Sequence, residues 1–265
     1  MAGTANLNLM IQAARKAARR LVRDFGEVEN LQVSVKGAGD FVSNADRKAE
    51  ETIRTLLTEG RPNYGWLGEE SDPVEGKDPT RRWIVDPLDG TTNFLHGIPH
   101  WAISIALEHK GEIVSGVIYD PVKDEMFTAE TGTGAWLNDR RLRVSGRREL
   151  SHMLFGTGFP YGTRSHLKET LQQMARVLPM TAGVRRQGAA ALDLAYVAAG
   201  RLEGFWEYKL QPWDIAAGMI LVREAGGFIG SIAEQRQFTD PLLTGDIVAA
   251  APEAYPQLQK LIQLE

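Results

Sequence analysis

The sequence has no cysteine among its 265 residues. This absence excludes disulfide bonds, thiolate metal ligands and cysteine nucleophiles, so a metal site in this chain has only oxygen and imidazole ligands to use. It also fits an intracellular protein, and we expect a cytoplasmic location. Long hydrophobic runs are lacking as well. No stretch approaches the roughly 20 apolar residues of a membrane-spanning helix, and we expect no membrane association.

The chain has no excess of positive charge, since 30 lysines and arginines stand against 34 aspartates and glutamates and give a net charge of −4. This balance offers no general electrostatic footprint for nucleic acid, so we expect no nucleic-acid partner. Common nucleotide and hydrolase motifs are missing too. There is no Walker A sequence and no G-x-S-x-G, and the glycines of "FGTGFPYG" and "ETGTGAW" lack the spacing G-x-G-x-x-G.

What the sequence does contain begins with an amphipathic, arginine-rich segment. A transit peptide has a similar composition, but this segment continues without a small-residue cleavage signal. Its basic residues lie off an apolar stripe that has helical spacing, which predicts a first helix packed on the core. The stripe consists of Leu7, Met10, Ile11, Ala14, Ala18, Leu21, Val22 and Phe25.

The pattern of elements changes near residue 145, and we predict one catalytic domain over residues 1–265 with two sub-regions. Residues 1–145 predict helices followed by an antiparallel sheet, because apolar runs there alternate with hairpin-like turns. Residues 146–265 alternate strand and helix patterns. The predicted fold class is therefore α/β in the broad sense, with α+β character.

Three local predictions concern the segments of the first sub-region around Asp46, Glu69 and Glu70, and residues 72–82. A turn reaches Asp46, and a second helix follows it and stops at Gly60. The segment "YGWLGEES" predicts a strand that ends in Glu69 and Glu70, of which Glu70 is expected to be solvated. The polar stretch at 72–82, with its prolines and glycine, predicts a surface loop.

Five acidic residues share one local context, the end of a strand-like segment or the edge of a helix. Strand ends gather at one edge of a sheet, so such residues can converge from distant parts of a sequence. Carboxylates packed closely repel one another and take up protons unless hard divalent cations neutralise them, and oxygen ligands favour Mg²⁺ or Mn²⁺. The five residues are Asp46, Glu69, Asp86, Asp89 and Asp214.

The stretch "WIVDPLDGTTNF" at 83–94 has the spacing that a metal-bridged phosphate site needs. A turn beginning at Asp86 can direct Asp86 and Asp89 inward while the Leu88 carbonyl adds a neutral oxygen. The next residues, Gly90 and Thr91, can present backbone N–H groups to an anion. From this stretch alone an ordinary turn is favoured, whereas the set of five acids leaves a metal site and ordinary local roles equally open. Asp214 alone is better explained as a helix N-cap.

Two histidines four residues apart, His96 and His100, suggest a zinc pair on a helix. Gly97 and Pro99 lie between them and disfavour that helix, so we do not expect them to bind metal.

Several stretches resemble the inositol monophosphatase family, in its bacterial branch, and they do so in order over nearly the whole chain. The characteristic ones are "GEES" at 68–71, "WIVDPLDGTTNF" at 83–94 and "WDIAAG" at 213–218, supported by "DFVSNAD" at 40–46, "RRQGAAALDLAYVAAGRLEGFWE" at 185–207 and "GDIVAAAP" at 245–252. The resemblance implies a layered αβαβα sandwich of the inositol monophosphatase and fructose-1,6-bisphosphatase type. It also implies a homodimer and a phosphate monoester hydrolase that uses two or three Mg²⁺ ions.

The resemblance implies a role for each matching position. One metal ion would be held by Glu69, Asp86 and the Leu88 carbonyl, and a second by Asp86, Asp89 and Asp214. Catalysis would use Glu69, Thr91 and Asp46, with Thr91 and Glu69 orienting the attacking water. Substrate would be bound by Asp89, Gly90, Thr91, Gly188, Ala190, Glu207 and Asp214, and Lys36 would lie on a mobile loop over the site.

The implied substrate is a small phosphorylated polyol, most simply inositol 1-phosphate. Related substrates stay open: fructose 1,6-bisphosphate, 3′-phosphoadenosine 5′-phosphate and histidinol phosphate. Family members are also inhibited by lithium, and one bacterial branch binds the transcription machinery, which makes a non-enzymatic interaction role the alternative of a different class. Ala189 departs from the Thr or Ser that the family often has there, and this removes a hydroxyl near the polyol.

Overall fold

The computed structural model describes residues 3–27, 33–37, 40–159, 166–232 and 240–264, with the backbone alone at 33–37 and 40–43. Two helices open the chain, α1 (Ala5–Phe25) and α2 (Asn44–Gly60), with an antiparallel strand pair between them, β1 (Val33–Gly37) and β2 (Asp40–Ser43). The predicted first helix is thus confirmed.

The buried face of α1 is narrower than the predicted stripe. Met10, Ala14 and Leu21 are fully buried, whereas Val22 is 45% exposed because the packed face turns toward Ala17. Thr4 is the N-cap of this helix. Its hydroxyl accepts the Leu7 N–H at 3.3 Å and donates to the buried carboxylate of Glu130, which lies on the sheet below. This bond fixes the start of the helix over the sheet.

The predicted antiparallel sheet is present and has seven strands in sequence order. Its first pair is parallel and the rest are antiparallel. The strands are β3 (Tyr64–Gly68), β4 (Asp78–Asp89), β5 (Ala102–His109), β6 (Glu112–Asp120), β7 (Glu125–Glu130), β8 (Gly134–Leu137) and β9 (Arg140–Arg141), with the short helix α3 (Thr91–Leu95) after β4.

The surface-loop prediction at 72–82 is wrong from residue 78 onward. Residues 78–82 begin β4, and their charged side chains pair across strands: Arg82 Nη2 lies 2.7 Å from Glu108 Oε2 on β5. Val74 also forms a bridge to Trp66. Pairing with neighbouring strands satisfies the backbone here, and a polar local sequence cannot reveal such pairing.

The second sub-region contains a five-stranded sheet in the order β11-β10-β12-β14-β13, with helices on both of its faces. Two of its strands, β11 and β13, have only three residues each and were not predicted. The strands are β10 (Leu154–Thr157), β11 (Gly183–Arg185), β12 (Gly204–Glu207), β13 (Phe228–Gly230) and β14 (Ile247–Ala250), and the helices are α4 (Leu167–Val177), α5 (Ala190–Ala198), α6 (Pro212–Glu224), α7 (Pro241–Thr244) and α8 (Tyr255–Ile262).

The elements stack in five layers, which confirms the predicted αβαβα sandwich. Helices α1 and α2 cover the outer face of the seven-stranded sheet, α5 and α6 lie between the two sheets, and α4 and α8 cover the second sheet. One apolar cluster joins Ala106 and Ile118 of the first sheet to Leu194 of α5 and Ile220 of α6. The core is therefore continuous across residue 145. In the described parts of the chain, no helix has the length and hydropathy needed to cross a membrane.

Gly116 sets the distance between α6 and the first sheet, and Gly116→Ala tests that packing. A Cβ there would lie 2.6 Å from Ile220 Cγ2 and 2.9 Å from the Ala217 carbonyl oxygen. We expect the variant to lower the free energy of unfolding by about 1–3 kcal/mol, measured by urea denaturation, because the helix backbone has to move. The control is Gly146→Ala, where a Cβ meets nothing within 4 Å. Equal effects of the two changes would contradict this account.

Candidate active site

Two acids of the predicted turn lie at the carboxyl end of β4, where the strand passes into the core. Asp86 is 2% exposed and Asp89 9% exposed. Their pairing with β5 shifts register between Asp86 and Asp89, and Asp86 Oδ1 accepts the Leu88 N–H at 2.8 Å. The turn predicted to begin at Asp86 is therefore an irregular end of β4 that continues to Asp89, and it carries both carboxyl groups into the interior.

Gly90 turns the chain from β4 into α3. Its φ of +92° is left-handed, and a Cβ there would lie 3.0 Å from the carbonyl oxygen of His100. The hydroxyl of Thr91, which follows, donates to the Leu88 carbonyl at 2.9 Å and lies 3.4 Å from Asp46 Oδ2. The Thr91 side chain thus joins the turn to the buried acid of α2.

Asp46 lies inside the first turn of α2, not in a turn before the helix as predicted. Its carboxylate oxygen, and one from each of Glu69 and Glu70, lie within 4.8 Å of one another. The prediction that Glu70 is solvated is wrong, since its side chain is only 3% exposed and lies 3.6 Å from Arg47 Nε. The Glu70 N–H also donates to Glu50 Oε2 at 2.8 Å, which folds the end of β3 back onto α2.

Two helix starts complete the acidic cluster. At the start of α5, the Ala191 N–H donates to Asp89 Oδ2 at 2.7 Å. At the start of α6, the Gln211 N–H donates to Asp214 Oδ2 at 2.7 Å, so Asp214 is the third helical residue of a capping box and not the N-cap itself. Each bond holds one carboxylate oxygen in place at a helix start.

Electrostatic repulsion links the acids of the cluster. Burial raises the pKa of Asp86 well above its ordinary value, and Glu69, Asp89 and Asp214 raise it further. The pKa of Asp46 is also raised well above its ordinary value, first by burial and next by repulsion from Glu69. Burial raises the pKa of Asp214 to about 7, with Asp89 as the second cause.

The pKa of Asp89 is also raised to about 7, chiefly by burial, against the lowering effect of the Ala191 hydrogen bond. Buried carboxyl groups that repel one another and offer only oxygen ligands fit a hard divalent cation. The chemistry of the donor set therefore agrees with a metal centre.

A cavity of about 190 Å³ opens beside these acids. Glu69, Asp89 and Asp214 line it together with the predicted substrate-binding residues Gly188, Ala190 and Glu207. The complete lining is Glu69, Asp89, Gly90, Thr91, Thr92, Gly158, Phe159, Arg186, Gly188, Ala189, Ala190, Glu207, Leu210 and Asp214. Asp46, Asp86 and Leu88 lie deeper, with exposures of 1%, 2% and 0%.

Glu207 lies directly against Gly158, where a Cβ would fall 2.0 Å from both carboxylate oxygens. Gly158, Phe159 and Arg186 of the lining were not predicted. The "RRQG" stretch was an available signal for Arg186, but nothing local marks Gly158. The backbone of Lys36 belongs to β1, and the side chain lies outside the described residues.

His96 and His100 do not form a helical pair, as expected, because α3 ends at Leu95. His100 is buried against Tyr196, with ring centroids 5.9 Å apart, and burial lowers its pKa to about 4.

Comparisons with known proteins cover nearly the whole chain. A family model described as the inositol monophosphatase family matches residues 5–264. An inositol-1-monophosphatase of Mesorhizobium japonicum is 58% identical over 249 residues, which is 94% of this chain and 92% of that protein. A Pseudomonas aeruginosa protein named Nus factor SuhB is 44% identical over 261 residues, 97% of this chain and 95% of that protein. The crystal structure of extragenic suppressor protein suhB from Bartonella henselae gives a TM-score of 0.94 at 52% identity, covering 98% of this chain and 99% of that one.

The raised pKa values predict that the metal-free protein loses stability as pH rises. Asp89 and Asp214 have a pKa of about 7 in the fold against an ordinary 3.8, so the folded state binds more protons than the unfolded chain between these values. The free energy of unfolding in EDTA should therefore fall from about pH 4 to pH 7. Urea denaturation at a series of pH values measures this fall.

Saturating Mg²⁺ at about pH 8 should restore the lost stability, because the cation binds the folded site and not the unfolded chain. Asp214→Asn should flatten the pH dependence in EDTA and weaken the effect of Mg²⁺. A free energy of unfolding that increases with pH in EDTA, or that does not change when Mg²⁺ is added, would contradict the interpretation of these acids as a repulsive cluster that binds a cation.

Proposed function

The chain belongs to the inositol monophosphatase family and is a metal-dependent phosphatase, and we propose that its substrate is inositol 1-phosphate, which it hydrolyses to inositol and phosphate. The observation that carries this proposal is the cavity that is lined both by acids of the buried carboxyl cluster and by the carboxyl group of Glu207. The relative named inositol-1-monophosphatase, 58% identical to this chain, supports the choice of substrate.

We assign the metal ligands as the resemblance implied. Glu69, Asp86 and the Leu88 carbonyl would hold one ion, and Asp86, Asp89 and Asp214 a second, with Asp46 beside them. Mg²⁺ is the proposed ion, two or three per site, and Mn²⁺ is a possible substitute, because all these ligands are hard oxygens. Bound ions neutralise the repulsion of the acids, activate water and stabilise charge on the departing oxygen.

The residues of the turn would orient the attacking water. The Thr91 hydroxyl donates a hydrogen bond to the Leu88 carbonyl, so its oxygen is available to accept a hydrogen bond from water. Glu69 offers a second acceptor on the same side of the cavity. The water oxygen bonds to phosphorus and releases one proton as the bond from phosphorus to the polyol oxygen breaks. The polyol oxygen takes up one proton and leaves as an alcohol, so the reaction neither gains nor loses protons. The N–H groups of Gly90 and Thr91, at a helix start, would bind the phosphate oxygens.

The part of the cavity lined by Glu207, Gly188 and Ala190 would bind the polyol. Glu207 presents a carboxyl group that can hydrogen-bond hydroxyl groups, and the backbone of Gly188 and Ala190 forms the wall beside it. Ala189 adds no hydroxyl, so recognition there depends on shape and backbone. A cavity of about 190 Å³ suits one small phosphorylated polyol. Fructose 1,6-bisphosphate, 3′-phosphoadenosine 5′-phosphate and histidinol phosphate stay as alternative substrates.

We also propose that residues 1–265 act as one catalytic domain, because a single apolar cluster crosses the boundary between the two sub-regions. The homodimer, the cytoplasmic location and the lack of a nucleic-acid partner stay predictions, as does the mobile loop that carries Lys36.

A second role, binding to the transcription machinery, is suggested by the name of the Nus factor relative that is 44% identical. The two roles separate experimentally. A variant without turnover that still complements a deletion phenotype would establish the interaction role beside the enzyme.

Asp86→Asn tests the proposed reaction, because Asp86 is shared by both assigned ions. We expect Mg²⁺-dependent phosphate release from inositol 1-phosphate to fall by about 100-fold to 1000-fold or more. The assay compares the four candidate substrates with Mg²⁺ and with EDTA. The control, Glu108→Gln, removes one charge of an exposed ion pair on the same sheet and should keep activity. Preference for another candidate would replace the substrate, and no turnover of any would refute the proposed function.

Lithium should inhibit the enzyme. Li⁺ is a small cation that prefers oxygen ligands, so it competes for the carboxylate site but supplies only one positive charge. We expect loss of activity at tens of millimolar LiCl with saturating Mg²⁺, and no loss with KCl at the same concentration. Full activity in LiCl would count against this prediction.

A further inference from the structure

Behind the cavity wall lies a buried acid, Asp193 of α5, to which the proposed reaction gives no role. It is 1% exposed and is not among the residues that line the cavity. Its Oδ1 accepts a hydrogen bond from Gln187 Nε2 at 3.0 Å. The same oxygen lies 3.3 Å from where a Cβ on Gly156 of β10 would be, so the carboxyl group is packed tightly against the second sheet. Burial raises the pKa of Asp193 to about 8.

Gln187, the partner of Asp193, belongs to the turn at 186–190, which lines the cavity through Arg186, Gly188, Ala189 and Ala190 and which we call the cavity wall. The turn is held from the other side as well, because the Gln187 carbonyl accepts from Asn93 Nδ2 at 2.8 Å. Asn93 lies in α3, directly after the phosphate-binding turn, and its Nδ2 also donates to the His100 carbonyl at 2.8 Å. Two hydrogen bonds therefore hold Gln187 in the wall, one from Asn93 of α3 to its carbonyl and one from its side chain to Asp193 of α5.

The α5 end of the turn has its own supports, since the Ala189 carbonyl accepts the Asp193 N–H at 3.0 Å and the Ala191 N–H donates to Asp89 Oδ2 at 2.7 Å. The Gln187 side chain is held by Asp193 Oδ1. Gly188 has a left-handed φ of +82°, and Arg186 and Gly188 both line the cavity. Without the bond to Asp193, the Gln187 side chain loses its anchor to α5, and the wall can shift by the few tenths of an ångström that weaken binding. The phosphate side has its own support, the bond from the Thr91 hydroxyl to the Leu88 carbonyl.

We propose that Asp193 is a positioning residue that acts through Gln187 to hold the 186–190 wall against the non-phosphate part of the substrate. This inference rests on the proposed function. Asp193 would determine how tightly the polyol is bound, while the rate of cleaving the phosphorus–oxygen bond depends on the metal ligands. Its loss should therefore raise KM for a polyol phosphate and leave kcat close to the wild-type value.

The test measures KM and kcat for inositol 1-phosphate and for p-nitrophenyl phosphate, an ester without polyol hydroxyls. Asp193→Leu and Gln187→Ala should each raise KM for inositol 1-phosphate about 5-fold to 30-fold, the size expected for one lost buried hydrogen bond, and should barely change KM for p-nitrophenyl phosphate. Asp193→Asn keeps an oxygen acceptor for Gln187 and should recover most of the affinity. The double variant Asp193→Leu/Gln187→Ala should be no worse than either single variant, because both remove the same bond.

Glu203→Gln is the matched control. Glu203 is also a fully buried acid of the second sub-region, and its carboxylate accepts from the Leu154 N–H at 2.6 Å, but it does not line the cavity. It should leave both KM values unchanged even if stability falls. If Asp193→Leu does not fold, Gln187→Ala, whose side chain is only partly buried, carries the test alone.

Three results would overturn the inference: equal KM changes for both esters, a KM change of the same size in Glu203→Gln, or additive effects in the double variant. If the wild type prefers another of the four candidate substrates, that compound replaces inositol 1-phosphate in the same comparison, so an error in the substrate is distinguished from an error about Asp193. A wild type that turns over neither the candidates nor p-nitrophenyl phosphate refutes the proposed function, and this inference with it.

Discussion

Repulsion among buried carboxyl groups is the constraint on which the site of this protein depends. Asp86 is 2% exposed, and its pKa is raised by burial and by four neighbouring acids. Without a cation such a cluster destabilises the fold, so the free energy of folding has to come from elsewhere. It comes from an apolar core that runs uninterrupted from the first sheet through α5 and α6. The fold therefore tolerates the mutual repulsion of these carboxyl groups because the surrounding layers of helices and strands are well packed.

The backbone keeps the acids in place with few side-chain partners. The N–H groups of Leu88, Ala191 and Gln211 each hold one oxygen of Asp86, Asp89 or Asp214. Backbone donors are neutral, so they orient a carboxylate without cancelling the charge that a metal ion needs. An arginine in the same places would have neutralised the acids and weakened cation binding. The starts of α5 and α6 thus serve both to cap helices and to orient proposed ligands.

The cavity wall at 186–190 is also held in place by hydrogen bonds from other elements. Asn93 reaches from α3 to the Gln187 carbonyl, and Asp193 reaches from α5 to the Gln187 side chain. The 186–190 turn is thereby tied to α3, which follows the proposed phosphate-binding residues Gly90 and Thr91, and to α5, whose start holds Asp89. The proposed phosphate site and the proposed polyol site are therefore connected by these hydrogen bonds.

The sequence by itself determined the element types that have a clear period and the set of acids that carry the chemistry. The apolar stripe of α1 and the alternating runs of the first sheet needed no tertiary information, because burial of one face imposes the period directly. The motif around Asp86 and Asp89 identified the family. Only the tertiary structure decided that residues 78–82 join β4, that Glu70 is buried beside Asp46, and that Gly158 and Asp193 shape the wall around Glu207. Each of these depends on contacts between segments far apart in sequence, and a local pattern of polarity contains no record of the partner that satisfies a polar group.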